Sequence, residues 1–337
     1  MKQKRILISR PDRIGDVVLS TPIPRAIKKQ LPESFVAVLL KEYTKDIYLN
    51  NPYVDEIITI DDLLEEKISF FNKARAIRKY HFTHSLALLP NQTINYLLFC
   101  AGIGTRIGEG TRLYQYLTFT KSVSRKKYIP LRHEADYCMD LARKIGIVTD
   151  DLASEIYLSP EELFEVKNLR DQHLNGGKFL IGIHSSSGNS APNLPVKKYR
   201  ELIFELKKNP HYGVAVTDNN VPDELKDIEG VAYPNTGLSL RESIKRFAAL
   251  DCLISASTGP MHLCAALKVR TVSLFCPLTA CSPVLWGPRG NINEIIQPSE
   301  EYCLNKCPND PKKCTFNGKE GIQVEQVISS LEKILNR

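Results

Sequence analysis

The chain has 337 residues, 43% of them hydrophobic and 25% charged, with a formal net charge of +7. That length allows about two domains, each able to bury a core, and excludes a disordered chain, a collagen-like repeat or a small disulfide scaffold. The longest mostly apolar run, residues 94–103, is too short for the ~20 residues of a membrane-spanning helix.

At the amino end, the basic run Met1–Arg5 is followed by only three apolar residues before Ser-Arg-Pro-Asp. No secretory leader is therefore expected, and the reading places the chain in the cytosol. There the nine cysteines are read as thiols or metal ligands rather than disulfides. Short β-branched runs predict strands at 5–9, 35–40, 56–60, 85–89 and 106–108. Helical patterns at 16–30, 43–50, 63–80 and 93–101 separate them, and another covers 134–145. Pro22 and Pro24 should kink or delay the first of these helices. A polar stretch at 159–177 reads as the inter-domain connection. The alternation then restarts, with strands at 179–184, 213–217, 231–233, 252–256 and 271–275 and helices at 195–208, 240–249, 259–267 and 324–335.

Two such α/β halves predict a pair of Rossmann-like domains facing each other across a cleft, with ligands outside the carboxyl ends of the strands. The expected bounds are 1–165 for the first domain, 178–322 for the second, and 323–337 for a closing helix. No Walker A loop, HExxH or GxSxG occurs, which argues against a P-loop NTPase, a zincin and an α/β-hydrolase. Gly102, Gly104 and Gly108 miss the dinucleotide spacing by one residue and precede a strand rather than follow one.

The post-strand loops hold the candidate chemistry. After the first strand, Gly15 is expected to allow a tight turn, and Asp16 stands at a helix start that favours a carboxylate. Asp16 is read either as a plain helix cap or as a base for an acceptor hydroxyl. In the second half, Ser185–Ser190 is rich in small donors suited to phosphate, or is simply an exposed turn. Ser257, Thr258 and Gly259 introduce a helix with Pro260 in its first turn, which offers free amides to a diphosphate. His262 lies one turn in, either to meet phosphate or as a packing residue. Cys303, Cys307 and Cys314, with Cys276 or Cys281, are read as unligated thiols or as a tetrahedral metal site.

Charge is uneven: residues 1–160 carry 24 Lys/Arg against 18 Asp/Glu, and the densest basic stretch is Lys121, Arg125, Lys126, Lys127 and Arg132. That stretch is either a solvated face or a seat for an anionic partner. Nucleic acid is disfavoured, because no interleaved stacking aromatics or binding motif accompany the charges.

Together the segments RIGDVVLSTP (13–22), NP-x-VDEI (51–57), TRIGEG (105–110), STGPMHLCAAL (257–267) and SPVLWGPRGN (282–291) resemble glycosyltransferase family 9. This is the heptosyltransferase family of lipopolysaccharide core assembly. The resemblance implies the GT-B fold, with acceptor in the N-terminal domain and nucleotide sugar in the C-terminal one. It also implies inverting transfer with no obligatory metal and no cofactor. Carried onto this chain, Asp16 is the general base, with Arg13 and Gly15 beside the acceptor. Ser257, Thr258, Gly259 and His262 hold the donor phosphates, aided by Ser186 and Ser187. Asp218 and Asp223 are both candidates for the ribose-binding acid. Lys197 or Lys198 would replace a lysine that many members carry near 191–195.

The expected activity is transfer of heptose from ADP-heptose to an acidic, lipid-linked glycan, by a cytoplasmic protein held peripherally at the inner leaflet. The alternatives are a GT-B-type nucleotide-sugar epimerase and a nucleotide-sugar-binding protein that has lost catalysis.

Overall fold

The computed structural model describes residues 3–61, 69–125, 128–174, 176–188 and 191–337. The chain divides into two compact units, Met1–Tyr157 and Leu158–Arg337. In the first, strands β1 (Arg5–Ser9), β2 (Phe35–Leu40), β3 (Glu56–Thr59), β4 (His84–Ala87), β5 (Thr105–Glu109) and β6 (Lys121–Val123) form one sheet. In the second, β7 (Phe179–His184), β8 (Tyr212–Val216), β9 (Val231–Ala232), β10 (Cys252–Ala256), β11 (Arg270–Leu274) and β12 (Asn293–Ile296) form another.

Every strand pair is parallel. The spatial orders are β3-β2-β1-β4-β5-β6 and β12-β11-β10-β7-β8-β9. Renumbered from its own first strand, the second sheet has the order of the first, 3-2-1-4-5-6, which is that of the dinucleotide-binding folds. The central strands read as unbroken apolar runs because helices cover both faces. Ile6, Leu7 and Ile8 are buried, as are Leu253 and Ile254. In each sheet the strand order reverses beside the first strand, between β1 and β4 and between β7 and β10. The crevice outside those carboxyl ends is where such sheets take ligands.

Several local outcomes differ from the sequence expectation. The helix expected over 16–30 is two helices, Ile14–Val18 and Pro22–Gln30, broken before Pro22. Proline lacks the N–H that would continue the first helix but suits the first turn of a new one. The segment expected as a helix at 43–50 is a 3-10 helix, Glu42–Ile47. Of the helix expected at 63–80, residues 63–68 lie outside the described residues, and the described part is Phe70–Arg78.

The polar stretch expected as a connection is instead the helix Pro160–Leu174, part of the second unit. Its start is a reciprocal cap: Glu162 N donates to Ser159 Oγ (3.2 Å) while Ser159 N donates to Glu162 Oε2 (2.7 Å). Glu162 also receives Arg241, from the helix Leu240–Ala248. The closing helix Val324–Leu335 is not a separate piece, since Val327, Leu331 and Ile334 belong to the second unit's core.

Candidate active site

In the first unit the loop after β1 begins with Arg10, a buried cation. Its amide extends the ladder to Leu39 O (3.0 Å), so the backbone is fixed where the side chain leaves the sheet. Arg10 Nη1 donates to Leu88 O (2.8 Å), beyond the carboxyl end of β4. Nη2 donates to Asp16 Oδ1 (2.7 Å) and Glu134 Oε1 (3.3 Å). Glu134, almost fully buried, opens the helix Glu134–Arg143 and also receives Arg125. Arg125 reaches Glu109 Oε1 at 3.5 Å as well. The result is a chain of alternating charges, Asp16–Arg10–Glu134–Arg125–Glu109, at the switch point of the first sheet.

Asp16 is the third residue of its helix, and the N-cap is Arg13. The plain-cap reading therefore fails, and the carboxylate is held by Arg10. The expected gain in acidity from the helix start is also overturned. Burial pushes the Asp16 carboxyl above its ordinary value, Arg10 opposes, and Asp12 and Glu134 push the same way as burial. Gly15 has no left-handed backbone angle and sits within the helix, so the tight-turn expectation is not met. Arg13 is exposed, and its amide donates to Asp12 Oδ1 (2.9 Å). Sequence reasoning missed Arg10 and Glu134. The only signal for them was a pair of arginines flanking Pro11-Asp12, with nothing to say which one turns inward.

In the second unit the loop after β7 is pinned from below by Asp218, which is fully buried. Asp218 accepts from Ser185 N (2.9 Å), Ser185 Oγ (2.9 Å) and Ser186 N (2.8 Å). The Ser186 amide is thus already used, and its hydroxyl lies 3.3 Å from His184 Nε2. Ser187 Oγ donates to Ala191 O (3.0 Å), while Asn189 and Ser190 lie outside the described residues. Asn193 closes the loop by donating to Ser185 O (2.6 Å) and accepting from Tyr199 OH. Burial pushes the His184 pKa down, with the Asp218 charge opposing. Asp218 is therefore an internal brace of this loop. Asp223 is exposed and paired with Lys226 in its own turn. Lys198 donates to Ile322 O (2.6 Å), away from this loop.

Beyond β10, Thr258 is the N-cap of the helix Gly259–Ala266, with Pro260 in the first turn as expected. Its own side chain makes no capping bond, and Thr258 Oγ1 is buried with no partner among the described residues. That leaves the first-turn amides without a side-chain cap, the condition under which a helix start receives an anion. Ser257 precedes the cap, and His262 is buried one turn in. The two loops stand at the carboxyl ends of adjacent strands, since Ser255 of β10 pairs with His184 of β7.

A family model described as Glycosyltransferase family 9 (heptosyltransferase) matches residues 71–315. The chain belongs to glycosyltransferase family 9. A Haemophilus influenzae protein classed provisionally as a glycosyltransferase is 25% identical over 308 residues, 87% of this chain and 88% of that protein. The solved structure of a family 9 glycosyl transferase from Veillonella parvula has a TM-score of 0.79 at 21% identity, covering 99% of this chain and 97% of that one. The Escherichia coli ADP-heptose lps heptosyltransferase II structure has a TM-score of 0.74 at 18% identity and covers 98% of each chain. The fold of this family 9 protein is accordingly GT-B, built from two Rossmann-like domains.

One sequence alternative is not met. Among the described residues, no group of three or more His, Cys, Asp or Glu side chains is arranged to hold a metal ion. Cys314 is buried beside Tyr302 OH (3.5 Å). Cys276 and Cys314 lie in the second core, and Cys281 and Cys303 pack against it.

Proposed function

We propose that this family 9 protein is an inverting transferase that moves heptose from ADP-heptose to an acidic, lipid-linked glycan of the lipopolysaccharide core type. The observation that carries the reading is the Asp16 carboxylate, lifted in pKa by burial and aimed by Arg10 at the switch point of the first sheet. A sugar hydroxyl is a very weak acid, so attack on an anomeric carbon needs a base within hydrogen-bond reach. A carboxyl whose pKa is raised is, once ionised, a stronger base than an ordinary aspartate.

In the proposed step Asp16 takes the proton of the acceptor hydroxyl as its oxygen attacks the donor's anomeric carbon. The bond from that carbon to the diphosphate oxygen breaks with inversion, and the nucleoside diphosphate departs. The charge developing on the leaving oxygen is assigned to the first-turn amides of Gly259 and Met261 and to the hydroxyls of Ser186, Ser257 and Thr258. Ser187 supports that loop. Arg13 and Gly15 are proposed to line the acceptor. No step needs a metal or a cofactor. The donor is supported by the E. coli structural neighbour, which is named for ADP-heptose and lipopolysaccharide. Work on a lipid-linked acceptor would place the protein at the cytoplasmic face of the inner membrane. Among the described residues no helix is long and apolar enough to cross it.

The test is Asp16→Asn, which keeps the size and a hydrogen-bond acceptor for Arg10 but removes the basic oxygen. It should bind ADP like wild type and lose roughly 10²–10⁴-fold in kcat. Transfer within about threefold of wild type would reduce Asp16 to a structural partner of Arg10.

A further inference from the structure

The first unit carries a surface that the transfer chemistry does not use. Residues 110–133 hold six Arg or Lys and no Asp or Glu. Within them the short helix Leu113–Leu117 follows β5 and leads to the edge strand β6. Leu113 is 74% exposed, Tyr116 66% and Leu117 60%, at positions i, i+3 and i+4 that form one helical stripe. Phe119 follows at 81% exposure, and Ile129, beyond β6, at 75%.

The polar residues of the same segment point the other way. Gln115 and Thr118 are buried, with Gln115 Nε2 donating to Glu109 O (3.0 Å) and Thr118 Oγ1 to Asn95 Oδ1 (2.6 Å). Thr120 Oγ1, also buried, accepts from Asn95 Nδ2 (3.0 Å). This is an amphipathic segment turned inside out: its hydrogen-bonding groups anchor it to the unit and its apolar groups are presented outward. Exposed large apolar side chains grouped on one helical stripe, with Phe119 following it, suit a contact with something other than water.

The charges identify that partner. Arg125 and Arg132 are engaged with carboxylates of the helix Glu134–Arg143. Arg112 and Lys121, by contrast, are exposed beside the apolar stripe. Apolar side chains rimmed by cations, with no carboxylate in the segment, complement an anionic lipid surface. We propose that Leu113, Tyr116, Leu117 and Phe119, with Arg112 and Lys121, seat the first unit on an anionic phospholipid bilayer. The proposal deepens the reading of a lipid-linked acceptor and rests on it for its purpose, but its measurement does not depend on transfer.

The experiment is co-sedimentation of the full chain with phosphatidylcholine vesicles, with and without phosphatidylglycerol, alongside light scattering of the free protein. Wild type should bind the anionic vesicles at least about tenfold more tightly than the neutral ones, and added salt should weaken that binding. Leu117→Ser/Phe119→Ser should lose the binding, and Lys121→Glu should weaken it, while both keep the wild-type ADP-induced thermal shift that certifies folding. The proposal is overturned if wild type ignores anionic vesicles or if the double variant binds them equally well. It is also overturned if the face instead joins two copies, seen as a dimer that the double variant dissolves without vesicle binding. Vesicle binding retained by an Asp16→Asn protein that still transfers sugar would sink the catalytic reading and leave this one standing.

Discussion

At the scale of single residues, the pairing of Arg10 with Asp16 sets the pH range in which Asp16 can act. Burial raises the Asp16 pKa and the Arg10 charge holds it down. A general base works only when deprotonated, so kcat should fall as pH drops through that pKa, and the acid limb should lie above that of an ordinary aspartate. Arg10→Gln removes the opposing charge and leaves burial, Asp12 and Glu134 acting alone. The acid limb of log kcat against pH should then move to higher pH, by at least about half a unit. A limb that stays in place or moves down would show that Arg10 does not govern Asp16. Asp16 was legible in the sequence because Gly15-Asp16 follows a clear strand. Arg10 was not, because which of Arg10 and Arg13 turns inward depends on Leu88 and Glu134, which are distant in sequence. A cation that far inside is retained only with partners, and those exist only in the fold.

At the scale of elements, loops are positioned by braces that the sequence does not advertise. Asp218 follows β8 and satisfies three donors in the loop after β7. Asp218→Ala should leave those donors without their acceptor and destabilise the chain by about 3 kcal/mol, since each orphaned donor costs roughly 1–3 kcal/mol unless water reaches it. The variant should also weaken ADP binding several-fold, read by calorimetry below its melting temperature, whereas Asp223→Ala should change neither quantity. A folded Asp218→Ala protein with wild-type ADP affinity would remove this loop from the donor site. The helix start at Thr258 was readable from Thr-Gly-Pro, a local signal. The helix Pro160–Leu174 was not, because none of its side chains is buried and no apolar stripe marks it. Its one local clue was Ser159-Pro160-Glu161-Glu162, a capping box with proline at the first helical position.

At the scale of the whole molecule, the restart of the α/β pattern foretold two sheets, yet each sheet has one strand more than expected. Both missing strands, β6 and β12, are short outer strands carrying Lys121 and Asn293-Glu294. Edges tolerate charge because one side is unpaired, so they lack the apolar run that reveals a central strand. The unit boundary makes a sharper prediction. Residues 158–337 form one compact unit, so that fragment should fold alone and keep the ADP-induced rise in melting temperature, since a ligand of the native state stabilises it by mass action. Residues 1–157 should show no such rise.

A fragment starting at 178 should be much less stable than one starting at 158, for reasons visible in the packing. The helix Pro160–Leu174 ends so close to β8 that a Cβ on Gly213 would lie 2.9 Å from His173 O and Leu174 O. Glu162 and Glu165 of the same helix are held by Arg241 and Lys245. Removing the helix uncovers that part of β7 and β8 and takes Glu162 and Glu165 away from Arg241 and Lys245, leaving Lys245 with Glu242 alone of its two carboxylates. Equal melting temperatures for the two fragments, measured by circular dichroism, would show that the helix only connects the units and that the second begins at β7.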